Sequence, residues 1–508
     1  MKHLSIVLFL LASLPRGLTL PQGRDAVLDA CAQLAETFPK LTFQDSPEYS
    51  NKSILNWSQT CVLKPNCVFE PESAEDVARA VKVLRTTKTQ FAVRSGGHMP
   101  VPGANNIDNP GVLISTERLN AKSLSEDGSV ASIGPGLRWQ EVYGWSSAQG
   151  FAVPGGRFGP VGVGGLLTGG GISYFGSRTG WSVNSVVAFQ VVLADGSIVE
   201  ASAQKNSDLW WALKGGQSNF GIVTRFDMKT FPVGAVWGGT IQAPQAVIDQ
   251  YINAVASFAA PEGGSADPLV HANPLMLFLP NASAMVLGAN LFYQGADEPA
   301  SLANFTALPT MSTTTRSWLS LGDYLADVSG PDYADRGSRR LFWSLAVKAV
   351  PEAVFLVNST FIERATADLS HLPNVLTSVT YQTISKAWLE AAQEAGGDAI
   401  DLDPTQGGII NVLISTTWTD PAMDETHKEF SDSVTKEILA KAAAKGLDHP
   451  FIYINDAGPG QPVFQSLGGG KSLGKLREVA QKYDPCGFFQ TYQPGGFKLG
   501  DMKYEQTC

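Results

Sequence analysis

The chain predicts an α+β protein of two domains, and three observations carry that reading. Its 508 residues exceed what one ordinary compact core accommodates. Glycine is concentrated, with 18 of the chain's 51 glycines in residues 94–171, about twice the overall rate. Between 235 and 450 those loops give way to alternating helical and strand-like runs, jointed by Pro/Gly-rich stretches near 261–264, 330–338 and 395–408. Glycine loses more backbone entropy on folding than any other residue. Clustering it therefore needs a cause, either turns with φ > 0 or a ligand close to bare backbone.

In chain order, Lys2 and His3 precede an apolar run, Leu4–Leu14, too short to span a bilayer. That is a secretory signal peptide, cleaved near residues 17–20, with no membrane anchor. A helical pattern follows (Ala26, Leu28, Ala30, Leu34, Ala35) and passes into turn-rich sequence. Cys67–Glu70 reads as a strand stopped by Pro71, and Ser73 caps a helix with Val77, Ala80, Val81 and Leu84 as its apolar face. Phe91–Val93 returns as a strand and delivers Arg94-Ser95-Gly96-Gly97-His98 at its end, where α/β units bind ligands.

Val112–Ile114 and Val130–Ile133 are further strands, and Trp139–Gln149 is a helix. A helix beginning near Gly164 points its N–H groups at an anion. Val186–Leu193, Asp195-Gly196 and Ser197–Ala201 form a hairpin. Trp210, Trp211 and Leu213 are packing residues. Val286–Phe292 and Gly408–Trp418 are strands, Asp424–Ala444 is a helix striped by Phe430, Val434, Ile438 and Leu439, Phe451–Ala457 is a strand and Leu473–Tyr483 a helix.

A net charge of −10 and the absence of basic runs argue against a nucleic-acid partner. Five Asn-x-Ser/Thr sequons (Asn51, Asn56, Asn281, Asn304, Asn358) with a signal peptide suggest N-linked glycans and a secreted or secretory-pathway location. The five cysteines leave at least one unpaired within the chain. Six scattered histidines lack metal-ligand spacing, and no Gly-x-Ser-x-Gly elbow supports a hydrolase.

Two glycine loops, Arg94–His98 and Val161–Gly171, suggest peptide N–H groups converging on a pyrophosphate. The common phosphate motifs fail. A dinucleotide fingerprint from Gly162 needs glycine where Leu167 stands, and the P-loop-like Gly470-Lys471-Ser472 has Gln465 in place of its first glycine.

The stretch resembles instead the FAD-binding half of the vanillyl-alcohol oxidase/p-cresol methylhydroxylase (PCMH-type) family, in its berberine-bridge-enzyme-like branch. The matching residues are Arg-Ser-Gly-Gly-His with Gly103, then Val161-Gly162-x-Gly164-Gly165…Gly169-Gly170-Gly171, Gly221-Ile222-Val223, Tyr453-x-Asn455 and Tyr483-Asp484-Pro485…Gln493. The likeness covers roughly 67–232 and 453–498. It implies FAD held by Arg94, Ser95, Gly96, Gly97, His98, Gly103, Val161, the glycines of the second loop, Gly221, Ile222, Val223 and Asn455, with the Ile-Val pair near the adenine end. It implies a division into a 1–20 signal peptide, a 21–62 segment, a 63–234 flavin domain of two α/β subdomains, a 235–450 substrate domain of antiparallel sheet backed by helices, and a 451–508 return.

By the same resemblance His98 bonds covalently to the flavin 8α-methyl group, which needs a neutral imidazole. A second link, from a cysteine shortly before Val161, is missing, because Phe158 takes its place. In fungal-type relatives an early cysteine pairs with the one before the first flavin-domain strand, which implies Cys31–Cys67; the spacing alone does not choose between Cys61 and Cys67. The expected activity is oxidation of a small organic substrate by hydride transfer to flavin N5, with O2 as final acceptor, in a fungal secondary-metabolite pathway. Many relatives use as base a tyrosine that Asp456 replaces here. Asp456 is a base candidate if buried and a turn residue otherwise, with Tyr453 and Tyr492 as further candidates. A cyclase or isomerase without net redox, and a non-catalytic glycoprotein, are the competing readings.

Overall fold

A computed structural model of the protein describes residues 23–38, 41–280, 284–329, 337–500, 502 and 504. The expected signal peptide, Asn281 and Cys508 lie outside the described residues. A four-stranded sheet comes first, ordered Thr42–Phe43, Cys67–Phe69, Val112–Ser115, Phe91–Arg94, with its last three strands parallel. The helix Ala74–Thr87 connects two of these strands. Its cap is Ser73, whose hydroxyl accepts from Asp76 N, and Val77, Ala80, Val81 and Leu84 are buried on the sheet as the periodicity predicts. A Cys31–Cys67 disulfide ties the amino-terminal helix Gly23–Thr37 to this sheet.

The second sheet is antiparallel: Lys122–Leu124, Val130–Ile133, Ile222–Lys229, Val186–Val192, Ile198–Ser202. Its last two strands are the hairpin that Asp195-Gly196 announces. Leu213 is fully buried beside it, with Trp210 and Trp211 packed half-buried on the same core.

A nine-stranded antiparallel sheet is built from residues 236–449. Strand alternation separates its two faces. In Leu376–Ile384, Val379 and Tyr381 point to a core covered by the helices Ile248–Ala259, Pro351–Leu369 and Asp424–Ala443, while Ser378, Thr380 and Gln382 point the other way into a cavity. In Ile409–Trp418 the same split sends Ile410, Val412 and Ile414 to the core and Leu413 and Ser415 to the cavity. On the Asp424–Ala443 helix, Phe430, Val434 and Ile438 are buried as expected, and Leu439 is only half-buried.

Phe451–Ala457 is not a strand. Its N–H groups leave the sheet ladder for side chains, Ile452 N donating to Ser466 Oγ and Tyr453 N to Ser344 Oγ, and Ile454–Asp456 closes a 3-10 turn. Side-chain acceptors from a strand (Ser344) and a short helix (Ser466) outcompete the local β pattern. Beyond this turn, Phe488 and Phe489 pack on the four-stranded sheet, and Phe497 and Leu499 join the core of the second sheet.

Candidate active site

The glycine loops and the nine-stranded sheet face each other across a cavity of about 470 Å³. On the loop side the lining is largely backbone. A Cβ on Gly96 would lie 2.3 Å from Gly162 N, and one on Gly162 would lie 2.2 Å from Gly96 N, so the two loops touch only because both residues lack side chains. Ser95 Oγ donates to Pro135 O and accepts from Gly164 N, and Arg138 Nη1 donates to Gly96 O and Pro160 O. The second loop enters the helix Val163–Thr168, of only six residues. Gly97, Val161, Gly165, Gly221, Ile222 and Val223 also reach the cavity. Bareness at Gly221 serves the sheet, since a Cβ would meet Val191 Cγ1 at 2.5 Å.

His98 lines the cavity, half-buried, stacked on Trp57 at 4.2 Å between ring centroids and edge-on to Phe158 at 5.8 Å. Arg340 covers the Trp57 ring at 4.4 Å. Burial, and then the positive charges of Arg138 and Arg340, pull the imidazole's pKa down to about 3, so it is neutral at any working pH. Its Nε2 is buried with no hydrogen-bond partner. Such an orphan polar atom calls for a missing neighbour.

The opposite wall is side chain. Asp456, on the 3-10 turn, accepts at Oδ2 from Gln382 Nε2 (2.6 Å) and Asn411 Nδ2 (2.8 Å). Burial raises its pKa against those bonds and the nearby charge of Arg157. Arg157 is half-buried, with Nη1 reaching His271 Nε2 at 3.0 Å and donating to Asn273 Oδ1 at 2.7 Å, and Nη2 donating to Gln382 Oε1. Burial lowers the pKa of His271, and the charge of Arg157 adds to that. The imidazole is thus a neutral acceptor. Tyr453 lines the cavity with its phenol oxygen accepting from Gly171 N, Ile172 N and Asn455 Nδ2. Burial raises its pKa.

Most sequence-predicted residues meet here, and some do not. Arg94 turns away, its guanidinium bonded to Lys52 O, Ser53 O and Asn56 Oδ1 under the first sheet. Tyr492 packs on Phe488 outside the cavity, because its place after the Phe488–Thr491 turn sends it to the four-stranded sheet. Gly103 faces Gly495 at the rim. Gly169 leaves space for the Asn455 amide, which a Cβ would meet at 2.1 Å, and Gly170 and Gly171 pack near Ile400 and Ser182. Trp57, Arg157, Gln382, Asn411 and Asn273 were not anticipated. Polar Asn411 inside the apolar run Ile409–Ile414, and arginine between Gly156 and Phe158, are the signals that point to them.

The cradle fits a flavin dinucleotide. Ser95–His98, Gly162, Gly164, Gly165 and Ile222-Val223 would hold it, and the neutral imidazole of His98 lines it with an Nε2 that has no hydrogen-bond partner. Cys61, the free cysteine among the described residues, is buried outside the cavity, and burial pushes its thiol up to about 12, so it offers no second attachment. Among the described residues no cluster of His, Cys, Asp or Glu stands together to bind a metal, and no helix is long and apolar enough to cross a membrane.

Residues 65–202 match the FAD binding domain model. The chain is 43% identical over 480 residues to the FAD-dependent monooxygenase prx3 of Penicillium roqueforti, covering 93% of each chain. It is 31% identical over 475 residues to the bifunctional solanapyrone synthase of Alternaria solani, covering 93% of this chain and 88% of that one. In structure it resembles glucooligosaccharide oxidase from Acremonium strictum, which holds a 6-S-cysteinyl, 8α-N1-histidyl FAD (TM-score 0.73, 20% identity, 91% of this chain and 97% of that one). The non-redox alternative finds no support among these relatives. The chain belongs to the family of the fungal FAD-dependent monooxygenases and FAD-linked oxidoreductases, with the fold of the berberine-bridge-enzyme-like flavoproteins, and is an FAD-dependent enzyme.

Proposed function

We propose that this protein oxidises a hydroxyl-bearing, oxygen-rich small molecule, with His98 carrying the flavin through one covalent bond and Asp456 taking the hydroxyl proton. The observation that carries the reading is a buried carboxylate with raised proton affinity on the cavity wall. Bound FAD supplies the two-electron acceptor for the substrate's hydride, with O2 as the final oxidant. Asp456 removes the O–H proton at Oδ1, since Oδ2 is saturated by two amide donors. A carboxylate's usual basicity is weak for this work, and burial moves it toward the operating pH. Asn273, Asn290, Ser378, Thr380 and Ser415 line the wall with neutral donors and acceptors, which favours a substrate bearing several oxygens. Tyr453, held by three donors, braces the turn.

At His98 the neutral ring and its free nitrogen support nucleophilic attachment. Exchanging an N–H and a C–H bond for N–C is a two-electron oxidation for which dioxygen is the acceptor. The Phe158 contact and the buried Cys61 support a single bond.

A place in a fungal secondary-metabolite pathway, the signal-peptide pattern and glycans at Asn51, Asn281, Asn304 and Asn358 belong to the same proposal. Asn56 is withdrawn from it. Its amide is fully buried, donating to Asn105 Oδ1 and accepting from Asn106 Nδ2, so it has no room for a sugar. The test is to precipitate the holoenzyme in acid and read the visible spectrum of the pellet. Yellow colour should pellet with the wild type and move to the supernatant in His98→Ala. Colour in the wild-type supernatant would remove the covalent bond from the proposal.

A further inference from the structure

Gln382 sits on the Leu376–Ile384 strand, 2% exposed, between the charges of Arg157 and Asp456 on the cavity wall. Arg157 can only donate, so the Gln382 carboxamide must turn its oxygen to Arg157 and its nitrogen to Asp456. Asn411 is oriented by the same logic from the other side. Tyr453 N donates to Ser344 Oγ, the Ser344 hydroxyl donates to Asn411 Oδ1, and Asn411 Nδ2 is left to donate to Asp456. Both amides therefore end on one oxygen, Oδ2; a flipped Gln382 would set a donor against Arg157, and a flipped Asn411 would set its oxygen against the Asp456 carboxylate. The two residues come from neighbouring strands, in the Gln382↔Asn411 register of the nine-stranded sheet.

The charged and titratable groups around Asp456 are few. Arg157 approaches from the loop before Phe158, with His271 on Val270–Leu279 and the phenols of Tyr174, Tyr324 and Tyr453 around it. Burial keeps this histidine and these phenols neutral. Among the described residues Arg157 is the one charge set against Asp456, and it meets the carboxylate through the amide rather than directly. Direct contact with a guanidinium depresses a carboxylate's pKa and weakens it as a base. An interposed amide keeps the attraction while leaving one oxygen free.

We propose that Gln382 is a positioning residue: it spaces Arg157 from Asp456 and turns Asp456 so that Oδ1 meets the substrate hydroxyl. This rests on Asp456 being the base. Removing the amide removes a donor to the charged carboxylate, so the pKa of Asp456 rises and the ionised base forms at higher pH.

The experiment is pH-difference infrared spectroscopy of the holoenzyme without substrate, following the carboxylic C=O band that disappears in Asp456→Asn. In Gln382→Met the midpoint of that band should move up by about one pH unit, the scale of one hydrogen bond to a charged group. Gln382→Glu keeps the acceptor for Arg157, guards against a folding failure, and should also move it up. Midpoints that superimpose on wild type in both variants would overturn the role of Gln382 and leave the base assignment standing. Undiminished oxygen consumption by Asp456→Asn would overturn the base assignment instead, and the catalytic role of Gln382 with it.

Discussion

One wall of the cavity is backbone brought close by absent side chains, and the other is a set of side chains brought together from segments far apart in sequence. The Gly96–Gly162 contact depends on atoms that are not there, so any added carbon strikes main chain. Main chain cannot rotate out of the way. The Asp456 wall depends on hydrogen bonds between replaceable groups, and its losses should come in steps. A binding surface made of backbone thus fails whole, while one made of side chains fails by parts.

The sharpest way to break the comparison is Gly96→Ala or Gly162→Ala. With a Cβ placed 2.2–2.3 Å from the facing loop's nitrogen, the loops must separate. Flavin content after purification, read as the ratio of visible to ultraviolet absorbance, should fall to background in both. Normal flavin loading in either variant would mean that the loops are not the cradle. Asp456→Asn should do the opposite, retaining flavin while oxygen consumption over a panel of neutral alcohols and polyols falls by roughly 10²–10⁴-fold, the usual contribution of a positioned base. Loss of flavin here would show the two walls to be one unit.

The same division explains what the sequence could reveal. Glycine loops are local, so their spacing is visible in a single stretch, and His98 and the second loop are found where that spacing puts them. The Cys31–Cys67 pairing came from family likeness, because spacing alone left Cys61 open. Asp456 was visible as the residue after Tyr453-x-Asn455. Its partners were not. Arg157 and Gln382 are 225 residues apart and Gln382 and Asp456 are 74 apart, so only the tertiary fold brings a loop, a strand and a 3-10 turn together there. Phe451–Ala457 misled for a related reason: its apolar alternation is real, but Ser344 and Ser466 claim its N–H groups from outside the segment. Arg94 misled because its motif neighbours line the cavity while its own side chain turns the other way, toward Asn56.

The smallest effects should come from the neutral part of the side-chain wall. Thr380→Val and Ser415→Ala each delete one hydroxyl facing the cavity and leave the strand ladder intact, since the paired main-chain groups Thr380↔Leu413 and Ser378↔Ser415 are unchanged. A hydroxyl that bonds a neutral substrate oxygen is worth about 0.5–1.5 kcal/mol, or roughly two- to tenfold in kcat/KM. The expected pattern is a raised KM with kcat within about twofold of wild type, because the contact is made equally in the ground and transition states. If these variants instead lose kcat as Asp456→Asn does, the neutral hydroxyls work with the carboxylate as one network. The side-chain wall would then fail whole, as the glycine wall does.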